Sequence, residues 1–408
     1  MLKTLSIYIH YPFCEFKCPY CDFNSHVSNS IDYQAYLNAY CQELEFFFKK
    51  IGNRKITTIF FGGGTPSLMP EIMIEKILAK INQLWQFDEN CEITLEANPS
   101  SMEAKKFSQF SKLGINRLSL GIQALNQEDL NFLQRKHSLT QALDAIELAK
   151  KNFDNFSFDL IYARPNQNLN SWQKELNLAL SFQSKHLSLY QLTIEKGTKF
   201  FSDFHQKKFI LPNEDLASEF YNLTNDILIQ NNFDHYEVSN YAKQIKLIAN
   251  DQKNNQNFHV DYRSKHNLAY WQSDEYIGIG AGAHSRINFL DQPNRYAIMM
   301  IHQPSAWLKK VNESQVGIQK LESISNQQLI EEILLMGLRI NMGIEIQKLE
   351  KLINLNFSQI FCQQKLSKLI TQDLIKITDN RILIENKNWL LLNSIIFKLI
   401  NCLKCQDQ

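Results

Sequence analysis

Three cysteines lie within eight residues near the start of the chain, in the segment CEFKCPYC. Cys14, Cys18 and Cys21 form a C-x3-C-x2-C array that follows a run of β-branched and aromatic residues typical of a strand. Three thiolates can bind three irons of a cubane cluster and leave the fourth iron open, whereas a structural zinc site needs four protein ligands. The array therefore predicts a [4Fe-4S] cluster with one iron available to another ligand.

A glycine run follows the next predicted strand, in the segment FFGGGTP. Gly63, Gly64 and Thr65 belong to this segment. Because glycine has no side chain, such a run lets the backbone approach a bound molecule and offer it N–H and carbonyl groups. The segment lacks the downstream G-K-[ST] of a phosphate-binding loop, which disfavours a nucleotide triphosphatase, and a plain turn is the alternative interpretation.

Charged and amide side chains follow three further predicted strands. Glu96, Gln123 and Asp159 stand at strand ends, and Arg135 lies in the helical stretch after the fourth strand. Because parallel strands place their carboxyl ends at one edge, we expect these four side chains to line the same mouth. Each residue taken singly is as readily a helix cap or a member of a surface ion pair.

The strands that must position these residues alternate with stretches of helical period. The six runs are LSIYIH (5–10), KITTIFF (55–61), EITLEA (92–97), RLSLGI (117–122), FSFDLIY (156–162) and HLSLYQLTI (186–194). Repeated βα units predict an α/β fold with a mainly parallel sheet, in the form of an incomplete (βα)6 barrel. A doubly wound sheet is the alternative.

The alternation of predicted strands and helices ends after residue 195. A helical stretch at 213–231 and a short strand precede a polar run at 243–265, which predicts a loop. From residue 303 the chain reads as helices, with a two-strand pattern around a D-N turn in KITDNRILI. We therefore expect a barrel domain at 1–235, an extension at 236–302 and a smaller helix-rich C-terminal domain at 303–408. The final pair, Cys402 and Cys405, has metal-type spacing but no second pair, and we interpret it as incidental.

Composition limits the classes of partner and compartment. Lys and Arg number 43 against 42 Asp and Glu, so the net charge of +1 gives no reason to expect a nucleic acid partner. No apolar run reaches the ~18 residues of a spanning helix, and the first residues lack the features of an export signal. The eight cysteines then favour reduced thiols used in metal or redox chemistry. We expect a cytoplasmic protein.

The cysteine array, with an aromatic residue before its last cysteine, resembles the radical S-adenosylmethionine (SAM) superfamily. The wider set of motifs, YIHYPFCEFKCPYCDF, FFGGGTPS, LEANP, LGIQ, QRKH and FDLIYARP, resembles the oxygen-independent coproporphyrinogen III oxidase family from the first residues to beyond residue 300. In that superfamily the amino and carboxylate groups of SAM bind the open iron, and cluster reduction yields a 5'-deoxyadenosyl radical. The resemblance implies a six-unit incomplete barrel covered by a helical C-terminal domain.

The resemblance also assigns cofactor residues. It implies that the three cysteines bind the cluster. It implies that the SAM site is formed by Tyr8, Tyr20, Gly63, Gly64, Thr65, Glu96, Gln123, Arg135 and Asp159. One departure is ARP at 163–165, where many relatives read GLP, and the larger Ala163 is expected to narrow the turn after Asp159.

Two branches of this family share the motifs quoted so far. The oxidase branch carries a further cysteine two residues after the last cluster cysteine, and this position is Phe23 here. The chain resembles instead the heme chaperone branch, whose members read CPYCDF and use an H-N-x-x-Y-W motif in heme binding. In KHNLAYW the motif residues are His266, Asn267, Tyr270 and Trp271.

Heme binding by this motif is chemically reasonable, because a neutral imidazole is a good iron ligand and aromatic faces pack against a porphyrin. A histidine beside Trp and Tyr is otherwise more often a structural residue. The segment YIGIGAGAHS (276–285) lacks the strand–turn–helix context of a dinucleotide-binding loop. It predicts a tight loop that closes over the cavity, with His284 as a further candidate heme contact.

The resemblance implies a heme chaperone that binds heme and transfers it to an acceptor protein, with the cluster and exchangeable SAM in a structural or regulatory role. An oxygen-independent coproporphyrinogen III oxidase, which forms protoporphyrinogen IX by radical oxidative decarboxylation, is the alternative. The implied partners are heme and a heme-acceptor protein, with a respiratory acceptor and peripheral membrane association through it as further expectations. Reductive cleavage of SAM and the choice between monomer and dimer are left open.

Overall fold

The computed structural model describes residues 2–28, 30–247 and 258–404, with the backbone alone at 244–247 and 258–260. The strands are β1 (Thr4–Tyr11), β2 (Phe13–Cys14), β3 (His26–Val27), β4 (Lys55–Gly63), β5 (Gln86–Ala97), β6 (Arg117–Gln123), β7 (Asn155–Tyr162), β8 (His186–Gln191), β9 (Phe233–Glu237), β10 (Asn240–Leu247), β11 (Phe258–Asp261), β12 (Tyr276–Ile279), β13 (His284–Asn288), β14 (Arg295–Met300), β15 (Ile318–Ser323), β16 (Ile344–Glu345), β17 (Lys376–Ile377) and β18 (Arg381–Leu383).

The helices are α1 (Tyr33–Ile51), α2 (Glu71–Leu84), α3 (Ser101–Ala104), α4 (Phe107–Lys112), α5 (Gln127–Phe132), α6 (Leu139–Asn152), α7 (Leu169–Ser181), α8 (Lys199–His205), α9 (Glu214–Gln230), α10 (Lys265–Trp271), α11 (Pro304–Ser314), α12 (Asn326–Gly337), α13 (Ile346–Ile353), α14 (Phe357–Ile360), α15 (Gln363–Thr371) and α16 (Leu392–Ile400). Short 3-10 helices span Pro66–Leu68 and Asn386–Leu391. None of the described helices combines the length and the apolar character needed to cross a membrane.

Six parallel strands form the centre of the main sheet. β1, β4, β5, β6, β7 and β8 lie side by side in chain order, each paired with the next. A doubly wound sheet would reverse its strand order, so this order excludes that alternative. The six strands are those that the alternating pattern predicts, and the predicted α/β fold with an incomplete barrel is confirmed.

Later strands extend both edges of this sheet. β12 pairs in parallel with β1, and β13, β14 and β15 continue from it in antiparallel fashion. On the opposite edge, β10 pairs with β8, β9 and β11. The loop expected at 276–285 is therefore limited to 280–283, and the loop expected at 243–265 is strand at both ends, with residues 248–257 outside the described residues. The predicted bounds of both loops were too wide, because they ignored pairing with distant strands.

The described residues form three hydrophobic cores, of which the two largest divide the molecule and the third is a small cluster between Ala124 and Phe200. The larger core runs from Leu5 to Val316, and the smaller from Leu329 to Cys402. Helix α11 belongs to the larger core, since Trp307 stacks on Tyr36 of α1 with ring centroids 5.9 Å apart. The packing thus groups residues up to about 323 with the barrel, while the expected domain boundaries at 235 and 302 stay predictions.

The smaller core holds the helix-rich C-terminal region. The strands of the expected two-strand pattern, β17 and β18, pair antiparallel there beside β16. Cys402 is buried in this core, and its Sγ donates to the Lys398 carbonyl across 3.3 Å. Cys405 lies outside the described residues, so the interpretation of the two cysteines as an incidental pair stays a prediction.

Candidate cofactor site and histidine groove

The three cysteines lie on a loop that leaves the carboxyl end of β1. The loop begins at β2 and returns at β3, where Cys14 pairs with Val27. Within it, the backbone N–H of Cys21 donates to the carbonyl of Cys18 across 3.2 Å. All three thiols are unpaired and half-buried, and they line one cavity of about 140 Å³, which we call the cofactor cavity. The loop therefore presents three separate sulfurs to a single space, as a cubane cluster requires.

Two side chains donate hydrogen bonds to these sulfurs. The Thr65 hydroxyl donates to Cys14 Sγ across 3.3 Å, and Arg135 Nη1 donates to Cys18 Sγ across 3.4 Å. Burial raises the pKa of the Cys14 and Cys21 thiols, so the positive charge of bound iron is needed to hold them as thiolates. Among the described residues, no three His, Cys, Asp or Glu side chains converge on a single ion. The common cavity of the three cysteines suits a cluster, in which each cysteine binds a different iron.

The glycine run at the end of β4 packs against the cysteine loop. A side chain at Gly63, whose φ is 111°, would collide with the His10 ring, and one at Gly64 would collide with the Phe13 carbonyl. The Gly64 N–H also donates to the Tyr11 carbonyl across 2.7 Å. Glycine is thus needed for the close approach of two protein segments. The run positions the cysteines in addition to any contact with a ligand.

Asn98 connects the cysteines with the strand ends, and sequence reasoning missed it. Its amide nitrogen donates to the Thr65 hydroxyl across 3.1 Å, and its carbonyl accepts from Arg135 Nη2 across 2.6 Å. The same Nη2 donates to the Gly121 carbonyl across 2.7 Å. These bonds continue the contacts of Thr65 and Arg135 with two cysteines. The only sequence signal for Asn98 was its place in the quoted LEANP motif, two residues after Glu96.

Two carboxyl groups line the cofactor cavity, Glu96 near the end of β5 and Asp159 within β7. Burial, and then the nearby Asp159 carboxylate, raise the pKa of Glu96 to about 8. Burial also raises the pKa of Asp159 to about 6, although the Ser188 hydroxyl counteracts it. Glu96 accepts the Gly63 N–H across 3.2 Å. At neutral pH a largely protonated Glu96 can both donate to and accept from a sugar hydroxyl.

Eight of the nine residues that the resemblance assigns to SAM line the cofactor cavity. These are Tyr20, Gly63, Gly64, Thr65, Glu96, Gln123, Arg135 and Asp159. The ninth, Tyr8, lines an adjacent groove instead, and its hydroxyl is 3.0 Å from His10 Nδ1. The fold thus gathers strand-end residues that are far apart in the chain, as expected for parallel strands. Their contact with SAM itself stays a prediction.

His266 is fixed inside the protein. Its Nδ1 lies 2.7 Å from the Thr58 hydroxyl and its Nε2 lies 2.8 Å from the Tyr270 hydroxyl. The ring stacks on Phe60 with centroids 5.0 Å apart, and burial lowers the His266 pKa to about 3. Both nitrogens are engaged in this conformation, so binding of iron by His266 would require one of these hydrogen bonds to break.

The other motif residues face different spaces. Tyr270 lines the groove that contains Tyr8, whereas Trp271 lines a separate cavity near Leu349 of the C-terminal core. Asn267 lies in the first turn of α10, where its N–H donates to the Ser264 hydroxyl across 3.3 Å. The four residues therefore do not form one surface. Their shared role in heme binding stays a prediction.

The adjacent groove, which we call the histidine groove, encloses about 440 Å³ between the cysteine loop and the β12–β13 turn. Two exposed histidines, His284 and His302, line it together with Phe23. Phe23, Gly63 and Glu96 line both this groove and the cofactor cavity, so the two spaces adjoin. Sequence reasoning named His284 but missed His302, which stands in no motif and reaches the groove only through the pairing of β13 with β14.

Two family models match the chain. The model of the radical SAM superfamily matches residues 8–179, which include the cysteine loop and strands up to β7. The model of the HemN C-terminal domain matches residues 324–391, within the smaller core. The two matches fall on the two cores that the packing separates.

Several proteins are similar along most of the chain. Heme chaperone HemW of Lactococcus lactis subsp. lactis (strain IL1403) is 31% identical over 98% of both chains. HemW of Haemophilus influenzae is 38% identical over 71% of this chain and 72% of its own. The mitochondrial radical S-adenosyl methionine domain-containing protein 1 of Danio rerio is 34% identical over 85% and 75%. Among solved structures, coproporphyrinogen III oxidase HemN of Escherichia coli has a TM-score of 0.77 at 21% identity, over 98% of this chain and 90% of that one, which shows a common fold.

Proposed function

We propose that this chain, which belongs to the HemN-like family of radical SAM proteins that includes HemW, is a heme chaperone that transfers heme to an acceptor protein. The proposal includes a [4Fe-4S] cluster on Cys14, Cys18 and Cys21, with SAM in the cofactor cavity. It also includes a cytoplasmic location, which the unpaired state of the described cysteines supports. The choice of heme as the bound ligand is supported by the names of the HemW relatives.

Phe23 is the observation that carries the chaperone proposal. Its side chain is 59% exposed and lies on the border between the cofactor cavity and the histidine groove. The oxidase branch, by the resemblance described above, has a cysteine at this position. A phenyl ring cannot bind iron, whereas an exposed flat ring suits the face of a porphyrin.

The side chains around the cofactor cavity have separable roles in this proposal. When bound, the cluster and SAM supply the capacity to form a 5'-deoxyadenosyl radical. Thr65 and Arg135 donate hydrogen bonds to cysteine sulfurs and so stabilise their negative charge. Asn98 holds both donors in place. Glu96 offers a carboxyl group that can bind ribose hydroxyls.

Heme titration of the cluster-loaded protein under anaerobic conditions tests the proposal. We expect saturable binding, seen as a growing Soret band, with one heme per chain. Incubation of the loaded protein with heme-depleted respiratory membranes, followed by centrifugation, should then move heme to the membrane fraction faster than free heme moves. A cluster-loaded protein that binds no heme would contradict the proposal.

The oxidase alternative is decided with the same preparation. The protein is incubated anaerobically with coproporphyrinogen III, SAM and a reductant, and the products are separated as their oxidised porphyrins. We expect no protoporphyrin, because the position of the additional oxidase cysteine is Phe23. Catalytic formation of protoporphyrinogen IX would replace the chaperone proposal with the oxidase.

A further inference from the structure

The histidine groove contains imidazole rings that differ in burial and in hydrogen bonding. His10 is buried beneath it, with Nδ1 bonded to the Tyr8 hydroxyl and Nε2 within 2.9 Å of the Asn24 carbonyl. His284 and His302 are exposed, and within the part of the chain that the structure describes neither ring makes a hydrogen bond. Two imidazoles with free nitrogens thus face one groove.

Asn24 of the cysteine loop fixes the two segments that carry these histidines. Its amide nitrogen donates to the Ala281 carbonyl across 2.9 Å and to the His302 carbonyl across 3.0 Å. A side chain at Gly282, whose φ is 79°, would collide with this amide. The backbone on both sides of the pair is therefore anchored, while the rings of His284 and His302 remain available to bind a ligand.

The geometry of the pair suits a metal-centred ligand. The two rings have centroids 6.4 Å apart and are inclined at 79°. Because an imidazole nitrogen binds a metal at about 2.0–2.1 Å, this separation leaves room for one metal ion between the two rings.

The remaining lining of the groove suits a flat aromatic ligand. Phe23 is exposed at the border with the cofactor cavity, and Tyr270 and Tyr276 line the same space. The volume of about 440 Å³ falls within the usual range of small-molecule sites, about 300–1,000 Å³. Lys17, whose Nζ donates to the Phe23 carbonyl across 3.2 Å, places one cation beside Phe23 that can attract a carboxylate.

We propose that His284 and His302 supply the axial ligands of the heme iron, with the porphyrin against Phe23 in the histidine groove. This inference rests on the proposed chaperone function and names the site of the cargo. It assigns heme to a space that adjoins the cofactor cavity and leaves His266 as a buried structural residue. Since the groove is open to solvent, heme can enter and leave without movement of the barrel core.

The test compares variants by their heme spectra and affinities at equal cluster content. The double variant His284→Ala/His302→Ala should lose the low-spin absorption of a six-coordinate heme and bind heme more than about 10-fold more weakly. Added imidazole should restore the low-spin spectrum of heme that the variant still holds. Phe23→Ala should keep the low-spin spectrum but weaken binding by about 2- to 10-fold.

His205→Ala is the matched control. His205 is also exposed but lies at the end of α8, with Nδ1 2.8 Å from the Phe201 carbonyl, and it does not line the groove. It should bind heme as the wild type does. If alanine lowers the cluster content of the double variant, His284→Gln/His302→Gln repeats the comparison with polar side chains of similar length.

The outcomes separate the inference from the chaperone proposal. If the wild-type protein binds no heme, the proposed function fails. If the wild type binds heme and the double variant retains its spectrum and affinity, the function stands and the assignment of these ligands is overturned. Loss of the low-spin spectrum in His205→Ala to the same degree would also overturn it, because the effect would not be specific to the groove.

Discussion

The cofactor cavity and the histidine groove adjoin but differ in how their side chains are hydrogen-bonded. In the cavity, Arg135 bonds at once to Cys18, Asn98 and the Gly121 carbonyl. In the groove, the rings of His284 and His302 are exposed and make no hydrogen bond within the described part of the chain. We call the cavity interlocked, because its side chains are held by hydrogen bonds to one another. An interlocked site suits a permanently bound group, because its donors are already oriented towards that group. Free imidazoles suit a cargo that binds and leaves.

The shared border gives this difference a functional meaning. Gly63 and Glu96 line both spaces, and Glu96 bonds to the Gly63 N–H on the border itself. A ligand in the groove would therefore lie next to residues that we propose contact the cofactor. We expect occupancy of one space to affect the other through these residues, although each has its own anchors.

The largest effect is expected from removal of a cluster cysteine. Cys18→Ala should abolish the brown absorbance and bound iron of an anaerobically reconstituted sample, because three thiolates are the only protein ligands in the proposed cluster site. Cys41→Ala should leave both unchanged, since Cys41 lies on α1 outside the cavity. Equal loss in both variants would show that the cofactor cavity is not organised around the predicted array.

Replacement of Arg135 tests whether the interlocked bonds matter. Arg135→Met removes donors to a cysteine sulfur and to Asn98, and we expect SAM affinity to fall about 10- to 100-fold, as for other groups that support metal ligands. Equilibrium binding of SAM to the cluster-loaded protein measures this change. Lys136→Met is the matched control, because Lys136 is exposed and its Nζ lies over the Phe16 ring at 4.3 Å.

An equal loss in the two methionine variants would contradict this prediction, since a general loss of positive charge would then explain the weaker SAM binding. A loss confined to Arg135→Met, with heme binding retained, would support the difference between the cavity and the groove. That result would show that the interlocked network serves the cofactor cavity and not the groove.

The cofactor cavity was largely predictable from the sequence, for a physical reason. The residue types at the ends of successive βα units reveal strand ends, and parallel strands bring those ends together without knowledge of any tertiary contact. Glu96, Gln123 and Asp159 therefore line one cavity as expected. Tyr8 lines the adjacent groove instead, because its side chain turns towards His10, a contact that the local pattern does not encode.

The histidine groove could be predicted only in part. It depends on β12 joining β1, although the two strands are separated by more than 260 residues, and on a hairpin that brings His302 near His284. The glycine-rich segment at 276–285 was predicted to be a loop because its alternating glycines obscure the residue pattern of a strand. The H-N-x-x-Y-W motif did not reveal the contacts of His266, since Thr58, the partner that fixes its ring, lies on β4.

Glu43 supports the groove from inside the core, and its replacement should have a moderate effect. Its carboxylate accepts from the N–H groups of Gly280 and Gly317 and from Trp307 Nε1, across 2.8 to 2.9 Å. Glu43→Gln turns an amide NH2 towards a backbone N–H, so we expect a loss of about 1–3 kcal/mol in the free energy of unfolding. Glu45→Gln on the same helix removes only a half-exposed ion pair with Lys80 and should change it by less than about 1 kcal/mol.

The effect of Glu43→Gln should also depend on pH. Burial raises the Glu43 pKa to about 7 in the folded protein, compared with about 4.3 in an unfolded chain. Between these values the folded state holds a proton that the unfolded chain has released, so this group's contribution is full below about pH 4.3 and is lost as pH rises through about 7. Urea unfolding should show that the wild type's advantage over the variant shrinks across this window; an advantage that grows with pH would contradict the assignment.

The smallest effect is expected at the departure from the family pattern. Ala163 follows β7 with a φ of 55°, where alanine costs about 1–2 kcal/mol and glycine avoids this strain at about 0.5–1 kcal/mol of additional backbone entropy. Ala163→Gly should therefore stabilise the protein by at most about 1.5 kcal/mol. Ala79→Gly, at an exposed site in α2, should instead destabilise it by about 1 kcal/mol.

The same variant tests how far the interlocked region extends. Ala163 does not line the cofactor cavity formed by the described residues, and the next residue, Arg164, is buried and paired with Glu175 and with Asp129, the latter at 2.8 Å. The turn is thus anchored independently of Asp159, and SAM affinity in Ala163→Gly should stay within about 2-fold of the wild type, by the additivity of separate sites. A larger change would mean that the turn helps to position Asp159. The hydrogen-bonded region around the cofactor cavity would then include the ARP segment.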